Sequence, residues 1–461
     1  MPLDSSPTQP FDGTQTPPAH TPLQVPEGDL PPGVRPEPGP SPARPLWTGT
    51  AATPVPSLPA PDWVEEVEPA RPRIRLVGLD AARGFALLGM IAVHTLPAQN
   101  SLTAQPTLTW TLFAGNSAAL FALLAGVSLA LITGREAPHT GSRWRLSATS
   151  LAVRALLIFA LGIGLNVLDP HVFNILPYYG LFFLLAIPFT RMRSTRLFIL
   201  AGLTAVAGPL LIHLINGGLN YEILPLPTVV TLATDPVDSA LSLISGGTYP
   251  ALSWMAYIFL GMGLGRLPLG RLNAQIQLLA AGGFLALLGS GLSAFMLNVA
   301  GGWAGLRANS PLPYREILDV AAFGPADYRP LPTSSWWWLA LDGPHTNTPF
   351  SLLSSAGIAM ALMAGFLLLA RVAENALTPM IAAGTMTLTL YATHLVFITL
   401  ADIETLPVLW FAIQIGVAGL FATAWHFSLG RGPLERVVAT SSRAVSAAVN
   451  RAGLVTGRHS S

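Results

Sequence analysis

Between residues 76 and 428 the chain carries ten apolar stretches, most of them long enough to cross the ~30 Å hydrocarbon core of a bilayer. They fall at about 76–97, 108–132, 147–168, 172–190, 195–216, 248–266, 274–299, 348–370, 379–400 and 406–428. Inside lipid every backbone N–H and C=O must be satisfied within the protein, so segments of this kind are helices. The expected fold is therefore all-α, a polytopic membrane helix bundle of about ten transmembrane helices. The fourth and sixth stretches are short and contain Pro177, Pro188 or Pro250, which marks them as the spans to be tilted, kinked or partly re-entrant. Charge agrees with this reading: only 10% of residues are charged, against about a quarter in a soluble domain.

Arginine placement sets the direction. All 24 basic residues are arginine, which with the Ala, Pro and Gly enrichment is the mark of a GC-rich bacterial genome. Arg71, Arg73 and Arg75 precede the first span; Arg135, Arg143 and Arg145 lie between the second and third; Arg191, Arg193 and Arg196 between the fourth and fifth. Arg266 and Arg271, then Arg371, and finally Arg431 and Arg436 continue the alternation. The other loops hold only Arg307, Arg315 and Arg329, all in one long loop, and most of the acids, among them Asp169, Asp235, Asp342, Asp402 and Glu404. By the positive-inside rule both termini are expected in the cytoplasm of a bacterial inner-membrane protein. Two long outer segments, about 217–247 and 300–347, are large enough to shape a site outside the membrane.

Three regions follow. Residues 1–72, rich in Pro, Ser, Thr and Gly, are expected to form a disordered cytoplasmic tail, because they carry too little apolar surface to offset the entropy of ordering. Residues 73–436 form the transmembrane domain, and 437–461 a cytoplasmic C-terminal tail. No apolar run follows Met1, so no cleavable signal peptide is expected there. The absence of cysteine excludes disulfides, thiolate metal sites and a cysteine acyl-enzyme. No phosphate loop, Gly-x-Ser-x-Gly elbow, zinc-protease His pair or metal-ligand cluster is present, and no basic stripe points to nucleic acid.

Ionisable groups inside spans cost a few kcal/mol on insertion scales and are functional candidates for that reason. Asp80 and Arg83 are three residues apart on one face of the first span: either a structural ion pair, or an arginine held by Asp80 to meet a phosphate. His94 follows Arg83 by eleven residues, about three turns and ~16 Å further along the same side. His394, well into the ninth span, should approach the depth of His94. Two such histidines suit proton transfer, or else each hydrogen-bonds a neighbouring helix. Arg154 in the third span either joins Arg83 in a basic pocket or snorkels to the headgroups. Asn116 and Ser117 either line the same cavity or cap their helix. Tyr249 and Trp254, with the Trp336–Trp338 run and His345 in the outer loops, are interface anchors or aromatic platforms for a sugar.

Taken in order, these elements resemble a known family. Leu79-Asp80-x-x-Arg83-Gly84 through His94, Asn116-Ser117 through Gly126, Tyr249-Pro250 with Trp254 to Gly265-Arg266, Leu390-Tyr391-x-x-His394 and Gly430-x-Gly432-Pro433-Leu434-Glu435 look like the signatures of transmembrane acyltransferases. That group includes heparan-alpha-glucosaminide N-acetyltransferase and the YeiB-like bacterial inner-membrane proteins. The resemblance implies an acyl group, acetyl above all, taken from cytosolic acyl-CoA and passed across the membrane without a metal. A cell-envelope glycan or glycolipid is the acceptor class it implies for a bacterium. Arg83, Arg154 and Asp80 would then serve the CoA phosphates, His94 and His394 the proton transfer, and Asn116, Ser117, Tyr249, Trp254 and His345 the acceptor. A related O-acyltransferase, and a transporter or flippase for an envelope precursor, are the competing readings; the oligomeric state stays open.

Overall fold

The computed structural model describes residues 76–219, 227–326 and 329–458, and apart from one bridge between Gln99 and Pro106 their regular structure is helical. The expected tail, 1–72, and Arg71, Arg73 and Arg75 lie outside the described residues. In chain order the helices are α1 (Val77–Thr95), α2 (Leu108–Phe113), α3 (Asn116–Ile132), α4 (Gly141–Asn166), α5 (Leu176–Ala186) and α6 (Ser194–Gly218). Next come α7 (Val229–Thr234), α8 (Pro236–Ile244), α9 (Ala251–Gly265), α10 (Leu272–Asn298), α11 (Gly302–Asn309) and α12 (Tyr314–Phe323). The last five are α13 (Pro349–Leu369), α14 (Thr378–Gly384), α15 (Thr387–Leu400), α16 (Pro407–Leu429) and α17 (Pro433–Arg458).

The ten apolar stretches all coincide with helices, yet by length and hydropathy seven spans qualify among the described residues, or eight if α14 and α15 count as one. Proline explains the shortfall. Pro177 begins α5, and Pro188 turns its end into a 3-10 segment, Ile187–Arg191. Pro250 caps α9, which is 15 residues long. The ninth stretch is broken between Gly384 and Thr387, where α14 and α15 meet at 83°. This architecture is a polytopic membrane helix bundle.

Small residues decide which helices touch. A Cβ on Gly126 of α3 would collide with the Ile258 carbonyl of α9, and one on Gly261 of α9 would collide with the Leu123 carbonyl of α3. The two backbones therefore approach each other reciprocally, as small-residue crossings in membranes do. Gly84 and Gly384 do the same for α1 and α14, against the carbonyls of Met380 and Asp80. Around these crossings Leu120, Leu123, Phe182, Ile258 and Met262 are fully enclosed.

Arg266, just past α9, ties one end of the bundle together. Its guanidinium donates to the carbonyls of Ala130 (3.1 Å), Arg135 (2.7 Å) and Thr190 (2.6 Å), and to the Thr133 hydroxyl (3.0 Å). It thereby gathers the ends of α3, α5 and α9, and with them the arginine-bearing loops, at one end. Arg371 adds to the same end by donating to Gln275 and the Gly270 carbonyl. Replacing Arg266 by Ala removes these hydrogen bonds together, the buried Thr190 carbonyl among them, and a buried polar group left unpaired costs about 1–3 kcal/mol. Arg266→Ala should therefore lower the melting temperature in detergent by several degrees, read by intrinsic tryptophan fluorescence; an unchanged melting curve contradicts the clamp. Beyond residue 436 the chain continues as α17, which lies along α4 through Val438, Ala439 and Ser442, with Ser446 reaching the Leu146 carbonyl.

Candidate active site

At the far end from the arginines, α1 and α15 bring His94 and His394 together. His94 Nδ1 and His394 Nε2 are 3.0 Å apart, with the rings nearly parallel (7°). Gln414 of α16 completes the chain: its Oε1 lies 2.6 Å from His394 Nδ1, and its Nε2 donates to the Thr95 hydroxyl at 3.2 Å. With the Gln414 carboxamide in this orientation, the protons follow in order. The carboxamide oxygen accepts from His394 Nδ1–H, so His394 Nε2 accepts from His94 Nδ1–H, and His94 Nε2 keeps its lone pair. His394 is 4% exposed and Gln414 9%, so both are screened from water. His94 borders a funnel of about 490 Å³ at this end, which His171, Asp402 and Glu404 also line.

A second cavity of about 720 Å³ opens toward the arginine-rich end. Arg83 and Arg154 line it, joined by Arg431, His426 and Glu435, and Met90, Tyr179 and Tyr391 line it as well. Arg83 donates to Asp80 (2.5 Å) and to the Ser128 hydroxyl (2.7 Å), while a fifth of its side chain stays exposed. The ion pair and the cavity position thus hold together in one residue. Tyr179 sends a buried hydroxyl with no hydrogen-bond partner among the described residues. Tyr391 donates to the Phe173 carbonyl and accepts from Ile175 N–H, joining α15 to the segment before α5.

Glu435 sets the pose of α15. Its carboxylate accepts from the N–H groups of Leu388 (2.7 Å) and Thr389 (3.1 Å) and from the Thr389 hydroxyl (2.6 Å), satisfying the first turn of the half-helix that carries Tyr391 and His394. The closing Gly-x-Gly-Pro-Leu-Glu element thereby acquires a physical role.

Helices α3, α9 and α10 and the loop that carries Asp342 and His345 form a third space of about 360 Å³, lined by Asn116, Trp254, Tyr257, Ser290, Asp342 and His345 among others. Trp254 donates to Asn347 (2.7 Å), and Asp342 accepts from Ser290 (2.6 Å) and Ser354 (2.5 Å). Burial raises the Asp342 carboxyl above its ordinary range. His345 and Asn347 hold left-handed backbone at φ 54° and 55°, and burial lowers the His345 imidazole to about 4. His345 Nδ1 has no partner among the described residues.

The expected residues divide accordingly. His94 meets His394; Asp80, Arg83 and Arg154 share the arginine-end cavity; Asn116, Trp254 and His345 share the third space. Ser117 and Tyr249 line none of these. Ser117 packs against α1 at Gly89, and Tyr249 is enclosed among Phe173, Tyr178, Trp254 and His345. Gln414 and Tyr179 drew no expectation from the sequence, and Arg431 and Asp342 entered it only as loop charges. An intramembrane glutamine at Gln414 was the one signal available.

Residues 75–297 match the family model described as heparan-alpha-glucosaminide N-acetyltransferase, catalytic. That stretch of the chain is similar to the catalytic region of that acyltransferase family. No curated protein matches the chain. The matched segment contains Asp80, Arg83, His94, Arg154 and Trp254, and it ends before His345, His394 and Gln414. It supports acetyltransferase activity in a membrane setting. Among the described residues no group of three or more His, Asp or Glu side chains is placed to hold a metal.

Proposed function

We propose that the protein transfers an acetyl group from cytosolic acetyl-CoA to a cell-envelope glycan or glycolipid on the opposite side of a bacterial inner membrane. In this reading the arginine-rich end faces the cytosol and residues 73–436 act as one acyltransferase domain. The observation that carries it is the Gln414–His394–His94 chain, set between a cavity holding arginines and a funnel at the far end.

The chemistry follows from the groups on each side. Arg83 and Arg154, with Arg431, offer charge-assisted hydrogen bonds to CoA phosphates, and Asp80 keeps the Arg83 fork oriented. His94 borders the funnel, and its Nε2 takes the proton from an acceptor hydroxyl or amine as that group attacks the thioester carbonyl. His394 and Gln414 stabilise the imidazolium and hold its tautomer, as the acid does in a serine-protease triad. The carbon–sulfur bond breaks, an ester or amide bond forms, and the proton passes from His94 to the CoA thiolate. The Tyr179 hydroxyl is available to the carbonyl oxygen as negative charge builds there. Asn116, Trp254 and His345 would hold the acceptor.

Purified protein in detergent, given acetyl-CoA, should bind it and release free thiol slowly as water replaces the acceptor. Absence of acetyl-CoA binding at every concentration tried would overturn this reading in favour of transport of an envelope precursor.

A further inference from the structure

A fourth space touches the imidazole pair from the side. It is a groove of about 310 Å³ between α15 and α16, within the ~300–1,000 Å³ range of ligand pockets. Leu390, Phe397, Ile413, Val417 and Phe421 wall it, and its inner polar surface is His394 and Gln414 with the hydroxyls of Thr389 and Thr393. His394 is the one ionisable group in the lining, and no arginine or carboxylate borders it.

Its surroundings name the occupant. Val417 is 63% exposed and Ile413 39% on α16, and of the seven candidate spans α16 has the smallest share covered by protein, 11%. The medium that meets such a rim inside a membrane is hydrocarbon. A cleft open to hydrocarbon and floored by imidazole and carboxamide selects an amphiphile, with its chain on the apolar walls and its polar end at the floor. The polar funnel beside His94 begins at the next residue of α15: Phe397 walls the groove and Ile398 the funnel.

We infer that this groove holds the alkyl chain of the acceptor, which is therefore lipid-borne and reaches His94 sideways from the bilayer. The inference rests on the acetyl-transfer reading and narrows its acceptor to a lipid-linked alcohol or amine. The head occupies the funnel and loses its proton to His94 Nε2, its oxygen or nitrogen gains the acetyl carbon, and CoA leaves as the thiol.

The test uses the full chain in vesicles of lipid extracted from the producing cells, supplied with acetyl-labelled CoA. Val417→Trp fills the groove; Leu420→Trp, on the same helix at 76% exposure and outside the lining, is the control. Neither residue packs in the core, so both variants should fold. Wild type and Leu420→Trp are expected to place label in the organic phase at rates within about twofold of each other, and Val417→Trp at least tenfold more slowly with acetyl-CoA binding unchanged. Label confined to water-soluble product, or equal rates in the two variants, overturns the inference. Failure of acetyl transfer itself has another signature, absence of acetyl-CoA binding in all three proteins. Native mass spectrometry then decides the groove alone: loss of a retained lipid in Val417→Trp but not in Leu420→Trp supports it, and equal retention overturns it.

Discussion

His94→Ala is expected to lower the acetyl-transfer rate by about 10²–10⁴-fold, the usual worth of a positioned general base, while leaving the acetyl-CoA dissociation constant within about twofold. The separation follows from the layout. His94 borders the far-end funnel, whereas the arginines line a different cavity. His394→Ala should act through His94, because it removes the acceptor for His94 Nδ1–H and frees the ring to take either tautomer. The double variant should then be little slower than His94→Ala alone, since groups that act as a unit are strongly non-additive. Transfer rates under saturating acetyl-CoA, with binding measured separately by calorimetry, check both statements. A His94→Ala enzyme with full rate and weakened binding would reverse the assignment.

The second large effect belongs to Arg83. Its removal takes away a charge-assisted contact worth about 1.5–3 kcal/mol, and so should weaken acetyl-CoA binding roughly ten- to a hundredfold. Asp80 makes the loss worse, because Arg83→Ala leaves that carboxylate facing the same anion with the Arg83 charge gone from beside it. Arg83→Lys should recover only part of the affinity, since an ammonium cannot span Asp80, Ser128 and a phosphate as the guanidinium fork does. Asp80→Asn should weaken binding less than Arg83→Ala. Raising salt should erode wild-type affinity more steeply than that of Arg83→Ala, which keeps Arg154 and Arg431 in the cavity. Equal affinities in wild type and Arg83→Ala would remove the arginines from the donor site.

Much of this arrangement was legible before any coordinates. Apolar length located every membrane helix, because lipid leaves the backbone no alternative. Eleven residues of helix between Arg83 and His94 assigned them to opposite ends of one span, and the pairing of His94 with His394 followed from matched depth. Span count was harder to read. Pro177, Pro188 and Pro250 flagged α5 and α9 as irregular, but the break between Gly384 and Thr387 has no proline inside it. That break depends on Glu435, some fifty residues later, capping the new half-helix. Ser117 is a different case: the sequence left it between a cavity wall and a helix cap, and its position against Gly89 on α1 depends on a packing contact that no spacing encodes. Gln414 escaped notice because its meaning lies in a contact twenty residues away across two helices, which no periodicity encodes.

The most direct measurement is a cryo-EM structure of the full chain with bound CoA. The account predicts the phosphates against Arg83 and Arg154 and the thiol end running past Tyr179 toward His94 Nε2. Density for CoA in the funnel beside Asp402 instead, or a nucleotide bound nowhere near either arginine, would contradict it.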